Sequence, residues 1–564
     1  MTKMNVLAAF LFLSTGAPAA DRPAPPYRVT FNDDLTQLRT VETPYHALDE
    51  EFRMDMLKAD VEEVAAAGFD AHMLAPLFTY VPAWKSEIYP IAVHTNWLKT
   101  QFPNLEISDF LKVLADGTDI VGEFVKYCRE AGTAPILAVR MNDWHTREWI
   151  GCPPDTPLNW YPPHGLDQWR WEHPEYWLKD STEELYAEGI LTDDRVKDFR
   201  RPGLKKQLRE ERVLNWKHPE VRERMLGFIR ELCAYDIDGM ELDFMRHMQI
   251  FNLDETPLEE RREIMGDFLV RVRALLDESA QPGKPRYLSM RVPSYAAAYD
   301  AYGFELEKLY DQGVDALTLS CNYYTVQQLD TENIHRRAPR LKLYPEITQA
   351  LRTVDSAEKY RRTERHQIWT DAHIAYSQGA SGISFFNFPY YRRYGGSAER
   401  ALDVWTEPPF DAISVLRDPD AIAQKHQHYF LCTGWTSFMG YADATDSRLA
   451  FVIPSTWTEG RTRVLTPDLF PPAGGWTGTG RLRLQSTDEI GARTLSVKIN
   501  GIALSETSDI SEPYTPISSA LLGNETNLKA WSVPSEILRA GENEIEIKLE
   551  SGDTLEVFML DLAI

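Results

Sequence analysis

The segment YDIDGMELDFMRH, Tyr235–His247, decides the fold because it joins a strand pattern to acidic residues. Side chains alternate along a strand, so Glu241 and Asp243 share one face while Met240 and Leu242 share the other. The outer face of a barrel strand packs on helices, which suits the apolar pair. We therefore predict that both carboxylates point into a barrel, with Asp243 nearer to the rim.

Strand-like apolar runs alternate with amphipathic helical stretches between residues 28 and 430. The candidate strands are Arg28–Phe31, Ala71–Leu77, Ile136–Met141, Gly239–Met245, Tyr287–Val292, Ala316–Asn322, Leu341–Glu346 and Ile383–Phe388. Eight strands alternating with helices predict a parallel sheet, and eight is the number that closes a TIM barrel. An open doubly wound sheet is the alternative, but no glycine-rich phosphate loop follows the first strand. The predicted fold class is α/β, with a (β/α)8 TIM barrel over residues 27–432.

The pattern changes after about residue 434 to short alternating strands separated by turn signals such as Asn500-Gly501. Residues 434–564 are therefore predicted to form a C-terminal β-sandwich, jelly-roll-like domain. Such a domain either binds carbohydrate or packs on the barrel and stiffens it.

Charge and the N-terminus limit the function classes. The 564-residue chain has a net charge of −25, which argues against nucleic acid or a membrane surface as partner. Residues 1–20 combine Lys3, an apolar run and a small-residue cleavage site, the pattern of a signal peptide. We expect a periplasmic or extracellular protein. Its oligomeric state is not determined by the sequence.

Two carboxylates are candidates for catalysis. Asp243 ends the fourth strand, and Glu346 ends the seventh, so both are expected at the barrel mouth, where glycosidases place two carboxyl groups around the scissile bond. Glu241 lies one step deeper and would keep a proton on Asp243 by like-charge repulsion. Structural roles, such as an ion pair for Glu241 or a surface position for Glu346, are the alternatives.

Other strand ends gather polar side chains that suit a sugar site. The predicted substrate-binding residues are Arg140, Asn142, Asp143, Trp144, His145, Arg246, His247, Arg291, Asn322, Tyr323, Asn387, Tyr390 and His72. Arginines here suggest an anionic glycan, sulfated or uronic, since their forks suit sulfate and carboxylate. Alternatively, they neutralise the neighbouring acids.

An insertion at about 142–216 holds seven of the chain's fifteen tryptophans. They are Trp144, Trp149, Trp160, Trp169, Trp171, Trp177 and Trp216. Long βα-loops lie on the catalytic face of a barrel, where flat aromatic faces stack on sugar rings. The alternative is that these residues form a small core of their own.

Three segments resemble the glycosyl hydrolase-like family 10 barrels, over about residues 210–390. Ile237–Phe244 is similar to that family's fourth strand, while Tyr287–Pro293 (YLSMRVP) and Gly379–Phe388 (GASGISFFNF) are similar to its fifth and eighth strands. The resemblance implies a TIM-barrel carbohydrate hydrolase in which Asp243 matches the strand-four acid. Glu346 has no matched counterpart there, and its assignment follows the layout of retaining barrel glycosidases in general. The tryptophan-rich insertion also departs from the family pattern.

The hypothesis is a secreted, retaining glycoside hydrolase in which Glu346 attacks the anomeric carbon and Asp243 protonates the leaving oxygen. The reverse assignment, with Asp243 as nucleophile and the acid elsewhere, stays open. A non-catalytic glycan-binding barrel is the main alternative function. A metal-dependent amidohydrolase is a weaker one, because the one His-x-His pair, His426 and His428, follows the eighth strand. No metal and no cofactor are expected.

Overall fold

The computed structural model describes residues 21–35, 38, 41–47, 50–143, 145–154, 156–158, 162–178, 212–246, 250–253, 255–321, 324–352, 360–392, 406–432, 455–515 and 525–564. Eight parallel strands close into a barrel, each paired with its neighbour in sequence and the eighth with the first. They are β1 (Val29–Asp33), β2 (Ala71–Leu74), β3 (Ala134–Arg140), β4 (Gly239–Asp243), β5 (Tyr287–Pro293), β6 (Ala316–Ser320), β7 (Lys342–Thr348) and β8 (Ile383–Phe386). All eight predicted strands and the (β/α)8 fold are confirmed.

Helices occupy the connections between the strands. They are α1 (Met54–Ala67), α2 (Ile91–Gln101), α3 (Asp109–Ala115), α4 (Ile120–Ala131), α5 (Gln168–Glu172), α6 (Pro219–Leu232), α7 (Leu258–Ser279), α8 (Tyr299–Tyr302), α9 (Thr331–Arg337), α10 (Arg365–Ser377) and α11 (Pro419–Ile422). Helix α1 shows why they lie against the barrel, since its buried Leu57, Val61 and Val64 recur at three- and four-residue spacing. Asp119 is the N-cap residue of helix α4, and its side chain accepts a hydrogen bond from the Gly122 amide.

The inner and outer faces of β4 are those that the alternation predicts. The Glu241 carboxylate accepts hydrogen bonds from Asn32 Nδ2 at 2.6 Å and Thr318 Oγ1 at 2.7 Å. Asn32 belongs to β1 and Thr318 to β6, neither of which neighbours β4, so Glu241 lies inside the barrel. Met240 and Leu242 are buried in the apolar cluster that includes the surrounding helices.

Two main antiparallel sheets and one small two-stranded sheet follow the barrel. Their main strands are β9 (His428–Cys432), β10 (Ser455–Trp457), β11 (Thr462–Leu465), β12 (Asp468–Leu469), β13 (Thr479–Ser486), β14 (Thr494–Ile499), β15 (Ile502–Ala503), β16 (Ser505–Thr507), β17 (Leu528–Pro534), β18 (Gly541–Glu542), β19 (Ile545–Ser551) and β20 (Leu555–Ala563). One sheet has the order β9-β20-β13-β17-β16 with β10 beside β20, and the other has the order β11-β19-β14-β15. Both contribute to one core cluster, as expected of a sandwich.

The boundary between the two parts differs from the predicted one. Strand β9 ends at Cys432 and pairs along its length with β20. The C-terminal sheets therefore begin before residue 434, because this strand hydrogen-bonds to the end of the chain. The jelly-roll character remains a prediction.

The N-terminal signal, residues 1–20, lies outside the described residues, so export also remains a prediction. Among the helices that the structure describes, none has the length and apolar character needed to cross a membrane.

Gly239 tests the barrel packing directly. A Cβ atom at this position would lie 2.6 Å from the Tyr287 carbonyl oxygen of the neighbouring strand β5. We expect Gly239→Ala to lower the free energy of unfolding by about 1–3 kcal/mol, because backbone on both strands must move. Urea denaturation followed by circular dichroism measures the change.

Gly266→Ala is the matched control. In helix α7 its added Cβ would meet the terminal amide nitrogen of Gln312 at 2.7 Å, and that flexible group can move aside. Alanine also favours the helix by up to about 1 kcal/mol. Equal unfolding free energies for Gly239→Ala and the parent protein would contradict the close strand approach.

Candidate active site

A single guanidinium group organises the upper part of the barrel interior. Arg291 of β5 donates from Nε and Nη2 to the two carboxylate oxygens of Glu346, at 2.6 and 2.8 Å. Its Nη1 lies 3.2 and 3.3 Å from the two oxygens of Asp243. The guanidinium carbon also lies 4.0 Å from the centre of the Phe386 ring. The structure thus brings together the two carboxylates that the sequence singled out, one from β4 and one from β7.

The two carboxylates differ in how open they are. Both Glu346 oxygens are engaged, since Oε1 also accepts from Ser320 Oγ at 2.6 Å, and the side chain is 0% exposed. Asp243 is 3% exposed, and its Oδ1 accepts from the Met245 amide at 2.8 Å. Both residues are buried, and the Asp243 side chain is slightly more exposed than that of Glu346.

Glu346 does not end its strand as predicted. Strand β7 continues to Thr348, and Glu346 pairs in register with Ser384 in the middle of β8. The carboxylate consequently lies within the barrel rather than on its edge. Burial raises the pKa of Glu346, although Arg291 and Ser320 act in the opposite direction.

Glu241 forms the layer below. Burial raises its pKa to about 7, with Asp243 and Glu346 adding to the effect and Thr318 and Arg291 opposing it. Partial protonation of Glu241 near neutral pH reduces the negative charge around Arg291. Its hydrogen bonds with Asn32 and Thr318 make it a positioning group beneath the site.

A second cluster of charged side chains lies at the rim of the barrel, at the end of β3. The Asp143 carboxylate contacts His145 Nδ1 and, at 3.3 Å, Arg140 Nη1. Arg140 also binds Asp34 Oδ2 at 3.1 Å, and His145 Nε2 lies 2.8 Å from Arg246 Nη2. Burial opposes a charged Asp143, but His145, Arg140 and Arg246 together hold the pKa of Asp143 well below its usual range.

His145 is the more open member of this group, with 25% of its side chain exposed. Burial lowers the pKa of His145, and Arg246 and Arg140 add to that effect, while Asp143 opposes it. The imidazole is held on both sides, so its ring orientation is fixed at the barrel mouth.

Three further predicted residues lie near the strand ends. Asn142 accepts from the Tyr80 hydroxyl at 2.7 Å and donates to the Leu214 carbonyl at 3.1 Å, so it ties the insertion to β3. Tyr390 donates to Asp34 at 3.4 Å. Asn387 has φ of 53°, a left-handed conformation that is uncommon outside glycine and clusters at functional sites.

The prediction that His72 lines the substrate site is wrong. His72 is fully buried on the outer face of β2, where its ring contacts Phe31 and, at 5.0 Å, Phe124 of helix α4. Ala71 and Met73 on one side of the strand and Leu74 on the other are apolar, so the residue pattern does not distinguish the inner face from the outer face. Trp144, His247, Asn322 and Tyr323 lie outside the described residues.

The described tryptophans of the insertion pack inward. Trp149 and Trp216 are buried in the main core, and Trp169, Trp171 and Trp177 are half-buried against it. These tryptophans therefore have packing roles, but they join the main core, whereas the alternative expected a separate small core within the insertion. Trp144 and Trp160 lie outside the described residues.

Sequence reasoning missed several members of the site. Asn32 lies in the first strand and Asp34 directly follows it, while Thr318 and Ser320 come from the sixth strand. The run TFNDD at 30–34 carried the signal, because Thr30, Asn32 and Asp34 form one polar face. Serine and threonine on an interior strand face give no comparable signal by residue type alone.

Comparisons with known proteins add the following. No family model and no curated protein sequence matches the chain. Among solved structures, it is similar to an α-L-fucosidase isoenzyme from Paenibacillus thiaminolyticus, at 12% identity and a TM-score of 0.36, over 70% of this chain and 48% of that one. It is also similar to a GH36 α-galactosidase from Geobacillus stearothermophilus, at 12% identity and a TM-score of 0.36, over 96% and 56% of the two chains.

A third similar structure is a maltogenic α-amylase from Thermotoga neapolitana, at 12% identity and a TM-score of 0.34, over 94% and 99% of the two chains. The chain spans about half the length of the fucosidase and the galactosidase. The barrel assignment stands on the strand pairing of this chain itself, and the family 10 resemblance stays a prediction.

Glu241 gives the folded state a testable pH dependence. The folded protein retains a proton on Glu241 up to about pH 7, whereas an ordinary glutamate has a pKa of 4.5. The stabilising contribution is therefore complete below pH 4.5 and is lost as the pH rises through 7. The shift corresponds to about 3 kcal/mol at alkaline pH.

We expect Glu241→Gln to remove this dependence, because the amide keeps the shape without titrating. The free energy of unfolding, measured by urea denaturation, should fall by about 3 kcal/mol less between about pH 4 and pH 8 in the variant than in the parent. Glu51→Gln, at an exposed position, serves as the control. Parallel pH curves for the parent and Glu241→Gln would show that Glu241 does not titrate in this range.

Proposed function

We propose that the chain is an exported glycoside hydrolase that cleaves an oligosaccharide or polysaccharide at the C-terminal end of its barrel. The observation that carries this proposal is the convergence of Asp243 and Glu346 on the Arg291 guanidinium. A retaining glycosidase needs a carboxylate nucleophile and a proton donor at the same bond, and catalytic residues of barrel enzymes come from the ends of different strands. Residues 1–20 would direct the chain to the periplasm or outside the cell.

Asp243 is the nucleophile in this proposal. A nucleophilic carboxylate must reach the anomeric carbon, and Asp243 is the more exposed of the pair, with an Oδ2 that accepts one described hydrogen bond, from Arg291. Glu346 is completely enclosed, so it acts on the reaction by fixing Arg291 in place. This is the reverse of the first assignment that the sequence suggested, and it keeps the retaining stereochemistry.

His145 supplies the proton to the leaving oxygen. Proton transfer by a positioned side chain needs a titratable group within reach of the substrate. The ring is partly exposed and Asp143 holds Nδ1, so Nε2 would carry the transferred proton once the substrate has displaced Arg246, whose Nη2 lies 2.8 Å from Nε2. The imidazole would then take a proton from the water that hydrolyses the glycosyl-enzyme ester.

The substrate is a glycan that does not depend on anionic groups. Arg140 and Arg291 pair with carboxylates of the protein, and Arg246 faces the His145–Asp143 pair. This arrangement supports the alternative in which the arginines neutralise neighbouring acids. Incubation with neutral, uronic and sulfated polysaccharides, with product size and anomer followed by NMR, tests both the activity and this preference.

A binding protein is the other outcome of that test. Equilibrium binding without new reducing ends over the whole panel would favour the non-catalytic glycan-binding barrel. Cleavage restricted to sulfated or uronic polymers would restore the anionic substrate.

Azide rescue identifies the nucleophile. We expect Asp243→Ala to lose at least about 10⁴-fold in kcat, because the covalent step is removed. With an activated aryl glycoside, azide should restore turnover and give a glycosyl azide of inverted configuration. Glu346→Ala is the comparison variant. An inverted azide product from Glu346→Ala, with no rescue of Asp243→Ala, would return Glu346 to the nucleophile role.

His145→Asn tests the proton donor. We expect a loss of about 10²–10⁴-fold in kcat/KM for natural glycans, and a much smaller loss for aryl glycosides whose leaving groups need no proton. Because the pKa of His145 lies below 6.5, the acid form accumulates only as the pH falls, so parent activity should rise toward acidic pH. Equal losses on both kinds of substrate would remove His145 from this role.

A further inference from the structure

Three ionisable side chains meet on the outer side of the barrel wall, away from the proposed active site. Asp33 ends β1, His72 lies in β2, and Asp60 lies on the face of helix α1 that packs on these strands. Their side chains are at most 1% exposed. Asp60 occupies a position between the buried Leu57 and Val61, in an otherwise apolar helix stripe. Acidic groups in such a layer are costly unless they bind something.

The imidazole of His72 indicates which kind of ligand these acidic groups bind. Both of its ring nitrogens are buried and have no hydrogen-bond partner among the residues that the structure describes. Buried imidazole nitrogens are normally satisfied, and neutral imidazole is the commonest metal ligand. Two carboxylate oxygens lie close to Nε2, Asp33 Oδ2 at 3.5 Å and Asp60 Oδ2 at 3.8 Å.

These distances are close to those between two ligand atoms bound to the same metal ion. Ligands at about 2.0–2.2 Å from a tetrahedral zinc ion lie about 3.3–3.6 Å from one another. One ligand atom from each of the three residues lies within 4.8 Å of the others. The second oxygens are oriented by other groups, because Asp33 Oδ1 accepts from the Leu35 amide at 2.7 Å and Asp60 Oδ1 accepts from the Tyr45 hydroxyl at 3.2 Å.

We propose that Asp33, Asp60 and His72 form a buried binding site for one divalent transition-metal ion of the zinc class. One imidazole nitrogen and two carboxylate oxygens supply three ligands, and a water molecule completes the tetrahedron. Such an ion would link β1, β2 and α1. It is a structural site, because all three side chains are enclosed between the barrel wall and the helix.

A shared proton is the competing occupant. Two adjacent carboxyl groups can hold one proton between them. Burial raises the pKa of Asp60 well above its usual value, Asp33 adds to the effect, and His72 opposes it. A proton and a metal ion would both relieve this repulsion, but only the metal ion engages His72 Nε2 as a ligand.

Cobalt substitution of the full chain distinguishes the two. The protein is dialysed against a chelator and then titrated with Co²⁺, followed by Zn²⁺. We expect one equivalent of Co²⁺ to give the visible bands of a tetrahedral site, with no thiolate charge-transfer band, and Zn²⁺ to abolish them. Zinc at about 100 times its Kd should raise the Tm by about 2–5 °C. A spectrum and Tm that do not respond would overturn the proposal.

Asp60→Asn and His72→Gln locate the ion. Both variants should lose the cobalt spectrum and the zinc-dependent rise in Tm. The control is Asp371→Asn, which changes another buried aspartate with a raised pKa, on helix α10, and should respond as the parent does. Persistence of the spectrum in Asp60→Asn and His72→Gln would place the ion elsewhere and overturn the assignment.

If the variants do not fold, the metal ligands can be identified directly on the parent protein. X-ray absorption of its zinc form should show nitrogen and oxygen ligands, one of them an imidazole, and no sulfur. Two imidazoles or any sulfur in the shell would exclude this site. A metal-insensitive parent together with a more stable Asp60→Asn variant would identify the shared proton as the occupant.

Discussion

The polar interior of the barrel depends on one buried cation. Arg291 is fully enclosed and binds Glu346 through two nitrogens and Asp243 through the third. Removing one partner from a buried ion pair costs about 3–5 kcal/mol, because the remaining charge loses its compensation. Asp243, Arg291 and Glu346 are therefore a structural unit as well as the proposed reaction centre. Glu241 lies below them, and its raised pKa reduces the negative charge that the Arg291 guanidinium must compensate.

The strands and the inner face of β4 could be predicted because the information is local. In Gly239–Asp243, acidic and apolar residues alternate, and the alternation gives both the strand and its phase. In Ala71–Leu74 both faces are apolar apart from His72, so nothing in the sequence distinguishes inside from outside. For that reason the sequence does not predict that His72 lies on the outer face of its strand. The strand itself was placed correctly, because buried parallel strands are apolar on both sides.

The height of a side chain in the barrel is not local information. Strands of a closed barrel are staggered, so the level of a residue depends on the register of all its neighbours. Glu346 was expected at the rim because its strand was expected to end there. It pairs instead with Ser384 in the middle of β8, and Ser320 of β6 donates a hydrogen bond to its carboxylate. The same stagger brings Asp34, the residue after β1, to Arg140 of β3, a contact that no spacing along the chain predicts.

The barrel wall carries buried acids on both of its faces, and the compensation differs between them. On the inner face, the guanidinium of Arg291 has enough donors for two carboxylates, and it remains charged at any pH in which the protein is folded. On the outer face, the basic side chain beside Asp33 and Asp60 is His72, whose pKa is lowered by burial to about 4. A neutral imidazole offers a lone pair in place of a charge. Two carboxylate oxygens and a lone pair within 4.8 Å of one another would compose the proposed cation site, just as two carboxylates around a guanidinium compose a salt bridge.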